Sequence, residues 1–169
     1  MPMPQPSFSS QQIPAPSVGL ADIDVVALTL YHEAANEGPR GMAAVASVIT
    51  NRVAWGRWGD ARGVCLAYKQ FSCWRSGGGT INFSRLCDHA NQIRGGERPG
   101  RMQRAYVFAQ GVVGKSLLED PTMGADHYYA PISMNPPSAA PYWVGNRKPT
   151  AIIGRHIFYR MRPDGATPT

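Results

Sequence analysis

The sequence predicts a mainly α-helical (α+β) domain with a small extended portion near its C-terminus. Apolar residues recur at helical spacing over three stretches, from about 22 to 36, 39 to 53 and 101 to 114. The later segments GADHYYAP, PYWV and TAIIGRHIFYR are aromatic and look extended, and the last is a candidate strand that closes the domain. A chain of 169 residues, 43% of them hydrophobic, suits one globular domain with a single core.

Three regions are predicted along the chain. Residues 1 to 20 are rich in Pro, Ser and Gln and have almost nothing to bury, so we expect a flexible N-terminal tail. Residues 21 to 162 are predicted to form the folded domain, and residues 163 to 169 a short C-terminal tail. The chain contains no internal repeat.

The first two predicted helices meet at a glycine-proline break. Asp22 or Asp24 can cap the first helix, whose apolar stripe runs to Ala34. Gly38 stops it, and the second helix follows Pro39. The predicted buried stripe of this second helix consists of Met42, Val45, Ala46, Ile49 and Val53.

The stretch from 55 to 99 is interrupted by the segments GRWGDARG, RSGGGT and RGGERPG. These segments predict loops with short helices rather than regular sheet, so we expect this stretch to form walls and not core. The third helix covers about 101 to 114 and ends near a glycine. One face of it carries Ala105, Phe108, Ala109 and Val112.

The net charge of +6, from 17 Lys and Arg against 11 Asp and Glu, predicts a polyanionic partner. Charge alone does not choose among a nucleic acid, an acidic membrane surface and a bacterial wall polymer, but the basic residues are scattered rather than clustered on one helix, which weighs against nucleic acid. The sequence contains no run of 18 apolar residues, so we expect no stable membrane insertion. It also shows no secretory signal, so we expect the protein to be made in the cytoplasm without a signal peptide. A monomer is expected.

Cysteine and histidine spacing argues against a metal or cofactor. Three cysteines, Cys65, Cys73 and Cys87, lack paired CxxC spacing, so reduced buried thiols are favoured, with one disulfide after export as the alternative. The four histidines show no HxxxH pair, so metal catalysis is the weaker hypothesis and no cofactor is expected. A nucleophilic Cys73 with His127 as its base is likewise weaker than an inert thiol.

Two carboxylates, Glu33 and Glu37, stand at the glycine-proline break. Glu33 falls one turn after Leu30 at the end of an apolar helix, where burial would raise the pKa of a carboxyl group and keep it protonated as an acid. Glu37 shares that face only if the helix persists to it. By base rate alone, a solvated position on the polar face is favoured for Glu33. Other acids that loops could bring to a cleft are Asp60, Asp88 and Asp126.

Four blocks of the sequence occur in a family's order: LTLYHEAANEGPRGMAAVASVITNRV, KQFSCW, GADHYYAP with PYW, and IGRHIFYR. Together they resemble the cell wall hydrolase family that includes the spore-cortex-lytic enzymes of the SleB and CwlJ type, over roughly residues 22 to 160. The resemblance implies a compact domain similar to lysozyme and to lytic transglycosylases, acting on peptidoglycan. It also implies that Glu33 is the catalytic glutamate and that Glu37 supports it.

Short aromatic segments supply the predicted substrate-binding residues, because aromatic faces stack on pyranose rings and amides bond acetamido groups. The predicted set is Gln70, Phe71, Ser72 and Trp74 from KQFSCW, with His127, Tyr128, Tyr129 and Trp143 from the later blocks. For Phe71 and Trp74 a core position is an equal alternative. One or two of the later residues are expected to reach the cleft, with the others packed beneath it.

The single persuasive acid favours a lytic transglycosylase that cleaves between N-acetylmuramic acid and N-acetylglucosamine. A two-carboxylate hydrolase needs its acids about 5 to 10 Å apart. One glutamate suffices when the muramic acid 6-hydroxyl is the nucleophile. The alternatives are a lysozyme-like muramidase assisted by Asp60 or Asp126, and a non-catalytic peptidoglycan-binding protein. A short basic chain of this kind suggests a phage endolysin that acts on the wall after release from the cytoplasm.

Overall fold

The computed structural model describes residues 13–76 and 81–163. Five α-helices and a small sheet in this part of the chain confirm the predicted fold class. The helices are α1 (Asp22–Ala34), α2 (Gly38–Trp55), α3 (Ala61–Leu66), α4 (Ile81–Arg94) and α5 (Met102–Val113). The strands are β1 (His127–Tyr129), β2 (Ala151–Ile153) and β3 (His156–Tyr159). None of the described helices is both long and apolar enough to cross a bilayer.

Helix α1 is the central helix of the domain. Residues 25 to 30 are all buried, which is the pattern of a helix surrounded by protein rather than one with a solvent face. It contacts α2, α3, α4 and α5. Of the two predicted caps, Asp24 accepts a hydrogen bond from the backbone N–H of Ala21 at 3.1 Å.

Helix α1 ends at Ala34, before Glu37. Glu37 instead occupies the position that precedes α2, so the two glutamates do not share one helix face. In α2 the predicted stripe is confirmed, because its first four members are buried and Val53 is partly buried. This stripe packs the second helix against the central one.

The expectation that residues 55 to 99 form only walls is wrong. Side chains from α3, from the 3-10 turn Ser72–Trp74 and the residue before it, and from α4 enter the main core. They are Val64, Cys65, Phe71, Cys73, Trp74, Leu86 and Ala90. The glycine-rich breaks indicated loops correctly, but a few well-spaced apolar residues between them suffice to cover the central helix.

The predicted tail of residues 1 to 20 is only partly tested, because residues 1–12 lie outside the described part of the chain. Over the remainder, the expectation of a segment with nothing to bury is wrong: Ser17 is fully buried and Leu20 is 7% exposed. Arg62 donates to the carbonyls of Ser17 and Leu20 at 3.0 and 2.8 Å. Arg94 donates to the carbonyls of Pro16 and Val18. Residues 164–169 of the predicted C-terminal tail lie outside the described part of the chain.

The sheet has the order β1-β3-β2, with both pairs antiparallel. TAIIGRHIFYR, taken as one candidate strand, is a hairpin of two strands, and PYWV is a 3-10 turn, Tyr142–Val144, rather than extended chain. Tyr128 on β1 lies opposite Phe158 on β3. A second apolar cluster, which includes Val48, Ile153 and Phe158, joins α2 to this sheet and fixes β1 beside the helices.

Candidate active site

Three separate parts of the chain converge on the carboxyl group of Glu33, in the last turn of α1. The hydroxyl of Tyr128 on β1 donates to Oε2 at 2.9 Å. Cys73, in the turn Ser72–Trp74, contributes a backbone and a side-chain hydrogen bond. The guanidinium of Arg52 on α2 is close enough to act on the carboxyl group electrostatically.

Desolvation raises the pKa of Glu33 above its ordinary value of 4.5. The hydrogen bonds from Tyr128 and Cys73 and the charge of Arg52 oppose this shift without cancelling it. The residue nevertheless keeps part of its surface open to solvent. Glu33 therefore combines a raised pKa with access for a substrate, which is the pairing that a general acid requires.

The Tyr128 ring is held on several sides. It lies 5.5 Å from Phe158 and meets His156 edge to face at 4.8 Å, measured between ring centroids. It also packs against both apolar clusters of the domain. Because the ring is held by this packing, its hydroxyl is fixed in position to donate its hydrogen bond to Glu33.

The structure places Phe71 and Trp74 in the core, as the alternative interpretation had it. They are 2% and 6% exposed, and the indole N–H of Trp74 donates to Oγ1 of Thr29 at 2.9 Å. Their edges border a cavity of about 640 Å³ that does not include Glu33. Ser72 is exposed, and Gln70 is half-buried with its amide donating to the carbonyl of Tyr68 at 3.4 Å.

Arg52 is a site residue that the sequence reasoning missed. Its side chain is 4% exposed, its Nε donates to the carbonyl of Asp126 at 2.6 Å, and its guanidinium lies over the rings of Phe71 and Trp58. Nη1 has no hydrogen-bond partner among the described residues. A signal was available: Arg52 falls one turn after Ile49, on the face of α2 where an apolar residue is expected.

Two of the three candidate second carboxylates, Asp126 and Asp60, are already engaged by hydrogen bonds. Asp126 is 1% exposed and accepts hydrogen bonds from Nδ1 of His127 and from the backbone N–H groups of Met161 and Arg162. Its burial would raise its pKa, but these bonds hold the pKa below the ordinary value. Asp60 caps α3 by accepting from the backbone N–H of Gly63 at 2.8 Å. Asp88 is exposed on α4.

The remaining predicted residues fall in one aromatic cluster, defined here as Trp55, His127, Tyr129, Trp143 and Tyr159. Trp143 contacts three of the others, with centroid separations of 5.3 Å to His127, 6.1 Å to Tyr129 and 5.6 Å to Tyr159. His127, Tyr129 and Trp143 are half-buried. Two members of the cluster, His127 and Tyr129, flank Tyr128 on β1, the strand that carries the hydroxyl bonded to Glu33.

Glu37 is fixed to the β2–β3 turn. Its carboxylate accepts from the backbone N–H of Arg155 at 3.0 Å and from Nε of Arg155 at 2.7 Å, and its side chain is 5% exposed. A Cβ at Gly154 would lie 2.2 Å from Oε2 of Glu37, and one at Gly41 would lie 2.3 Å from its Cβ. Two glycines thus leave the space in which this carboxylate binds the hairpin.

The histidines do not gather with other ligands. Nδ1 of His89 lies 3.1 Å from Nε2 of His32, and Tyr31 packs edge-on against both rings. In residues 13–76 and 81–163, no three His, Cys, Asp or Glu side chains are arranged to hold a metal ion. Burial raises the pKa of the Cys73 thiol well above its ordinary value, so the thiol stays protonated and is a poor nucleophile.

Comparison with known families adds to this geometry. The family model described as Cell Wall Hydrolase matches residues 36–159, most of the chain. This chain belongs to the cell wall hydrolase family. The matched range begins three residues after Glu33, so the importance of that residue in this cell wall hydrolase rests on its surroundings and on the sequence blocks.

Two solved structures resemble this cell wall hydrolase. The catalytic domain of the Bacillus cereus SleB protein superposes with a TM-score of 0.53 at 25% identity, covering 81% of this chain and 88% of that one. The catalytic domain of the germination-specific lytic transglycosylase SleB from Bacillus anthracis gives 0.51 at 25% identity, covering 83% and 97%. Curated proteins provide no match.

Proposed function

We propose that this cell wall hydrolase is a lytic transglycosylase that cleaves peptidoglycan between N-acetylmuramic acid and N-acetylglucosamine, with Glu33 as its single acid and base. The observation that carries the proposal is the raised pKa of Glu33 in a partly open site braced by Tyr128 and Cys73. The similarity to the B. anthracis lytic transglycosylase supports the same reaction class.

One carboxyl group can complete the reaction. Protonated Glu33 gives its proton to the glycosidic oxygen, and the bond between that oxygen and C1 of the muramic acid breaks. The resulting carboxylate then takes the proton of the muramic acid 6-hydroxyl as that oxygen bonds to C1. The product is a 1,6-anhydro ring, Glu33 is protonated again, and no water is consumed.

The tethered 6-hydroxyl explains why a second carboxylate is unnecessary. An inverting or retaining hydrolase needs one to activate water or to act as nucleophile. Here Asp126 accepts three hydrogen bonds from its own protein and Asp60 caps a helix, which weighs against a muramidase that uses either one. We assign the half-buried members of the aromatic cluster, His127, Tyr129 and Trp143, to contacts with the sugar rings.

The test is Glu33→Gln, assayed by the release of soluble fragments from purified peptidoglycan. We expect a loss of about 100-fold or more, because leaving-group protonation and base catalysis disappear together. Glu119→Gln is the matched control, since Glu119 is exposed. A Glu33→Gln enzyme that folds and retains more than a tenth of wild-type activity would contradict the assignment.

We further propose that the biological role is lysis of a bacterial cell from within, as for a phage endolysin. The net charge of +6 suits binding to an anionic wall, and the family acts on cell walls. Expression in bacteria followed by permeabilisation of the inner membrane should clear the culture with the wild type and not with Glu33→Gln. Cultures that stay turbid with both proteins would instead favour a wall-binding protein without activity.

A further inference from the structure

A cavity of about 550 Å³ opens between the end of α1 and the start of α5. Ala35 and Met42 contribute apolar surface to it, while Asn36, Arg101, Gln103 and Arg104 contribute polar groups. No acidic residue is among the described residues that line it. The cavity is therefore positively charged and rich in hydrogen-bond donors.

The two arginines are electrostatically uncompensated within the described residues. Arg101 immediately precedes α5 and Arg104 follows one turn later, both exposed. Neither side chain has a hydrogen bond, ion pair or ring contact with any described residue. The first turn of α5 has no acidic residue, and cations at that end oppose the helix dipole and repel each other. An anion in the cavity would relieve both effects.

We propose that this arginine cavity binds a carboxylate of the peptide stem attached to the glycan strand. Guanidinium groups pair with carboxylates through two parallel hydrogen bonds, and the amides of Asn36 and Gln103 can bond peptide groups beside them. The inference rests on the proposed function, because the stem is part of that substrate. It assigns the enzyme a preference for peptide-bearing over peptide-free glycan.

One bound glycan strand with its peptide stem is long enough to reach both Glu33 and the arginine cavity. The cavity begins at Ala35, directly after the end of α1 and two residues after Glu33, and a helix with its side chains is about 10 Å across. An extended stem of three to five residues spans about 10 to 17 Å. A carboxylate that is covalently tied to the glycan also has a high effective concentration at the cavity, which favours it over the phosphodiester of a separate wall polymer.

The first experiment measures binding without cleavage. The full-length wild-type chain is titrated with a free stem peptide, L-alanyl-D-glutamyl-L-lysyl-D-alanine, and with the same peptide fully amidated at its carboxyl groups, by NMR at fixed salt. We expect the free acid to bind about 10-fold or more tightly than the amide. Arg101→Gln/Arg104→Gln should lose this preference, and Lys115→Gln/Lys148→Gln, which removes the same charge, should keep it.

The second experiment measures cleavage of peptide-bearing strands and of strands stripped by an amidase. The double arginine variant should raise KM about 10-fold on the first substrate with kcat unchanged, and leave the second substrate unaffected. Equal changes on both substrates would overturn the proposal, as would unchanged peptide binding in the arginine variant or preferred binding of a glycerol phosphate oligomer. Because peptide binding needs no turnover, it can succeed even if Glu33 is not the catalytic acid.

Discussion

The hydroxyl of Tyr128 donates a 2.9 Å hydrogen bond to Oε2 of Glu33, across 95 positions of sequence. This bond couples the small sheet to the last turn of the central helix. It also lowers the pKa that desolvation raises, so the protonation of Glu33 reflects a balance between the two.

Tyr128→Phe should move the pH dependence of the enzyme. Without the hydroxyl, the pKa of Glu33 rises further, so the alkaline limb of kcat/KM, where the acid loses its proton, should shift to higher pH. We expect activity at the optimum to fall about 10-fold because the carboxyl group is less well positioned. Tyr106→Phe, which removes a hydroxyl bonded to Asp24, is the control and should leave the limb in place. An unmoved limb in Tyr128→Phe would show that the bond is unimportant for the acid.

Glu37→Gln should affect stability more than chemistry. Removing the charge that pairs with Arg155 is expected to lower the free energy of unfolding by about 1 to 3 kcal/mol, with activity falling about 10-fold or less. Burial tends to raise the pKa of Glu37, but the bonds from Arg155 lower it below 4.5. Its stabilising contribution is therefore present at neutral pH and lost as the pH falls through that lowered value. Urea unfolding at pH 7 and pH 3 measures both effects; a loss of activity as deep as that of Glu33→Gln would indicate a catalytic pair.

His32 should make the fold sensitive to mild acid. Burial, together with the nearby His89 and Arg85, lowers the pKa of His32 to about 4, so between pH 6.5 and 4 the unfolded chain binds a proton there that the folded chain does not. Stability is lost as the pH falls through this window, by up to about 1.4 kcal/mol per pH unit. The raised pKa of Glu33 has the opposite effect on the pH dependence of stability. The contribution of His32 is therefore measured as the difference between wild type and His32→Gln. Urea unfolding of His32→Gln should give a flatter profile than wild type, and parallel profiles would refute the assignment.

Residues 13–20, which precede α1, should contribute to stability. Deleting residues 1 to 20 removes buried Ser17 and Leu20 and the carbonyls bound by Arg62, which should cost about 2 kcal/mol or more. Deleting only residues 1 to 12 should leave the free energy of unfolding and the cleavage of purified peptidoglycan near wild type. Urea titration of both truncations compares them directly, and equal stability would show that the packed segment contributes nothing.

The strongly periodic helices were predictable, because α1, α2 and α5 carry their apolar residues at regular spacing over three or more turns. Helix α4 was not recognised because its buried face rests on little more than Leu86 and Ala90, while glycine-rich segments flank it. The hairpin of β2 and β3 was taken for one strand because its turn is only Gly154 and Arg155.

The site was predictable in part. Glu33 was singled out by the family resemblance, because its place at the end of an apolar helix did not by itself outweigh a solvated position. The aromatic block containing Tyr128 was also singled out, though not as a partner of the acid. Contacts between residues far apart in sequence, such as Arg52 with the Asp126 carbonyl, leave no local pattern. For the same reason, the sequence could not decide whether Phe71 and Trp74 bind substrate or lie in the core, where the structure places them.

The most direct test of the account is the mass of the products formed from purified peptidoglycan in ¹⁸O-labelled water. A single-glutamate transglycosylase should release fragments that end in 1,6-anhydro-N-acetylmuramic acid, lighter by one water than hydrolysis products and free of label. Incorporation of ¹⁸O at a reducing muramic acid end would contradict this reaction and indicate a muramidase, whose second carboxylate would then be sought at Asp60 and Asp126.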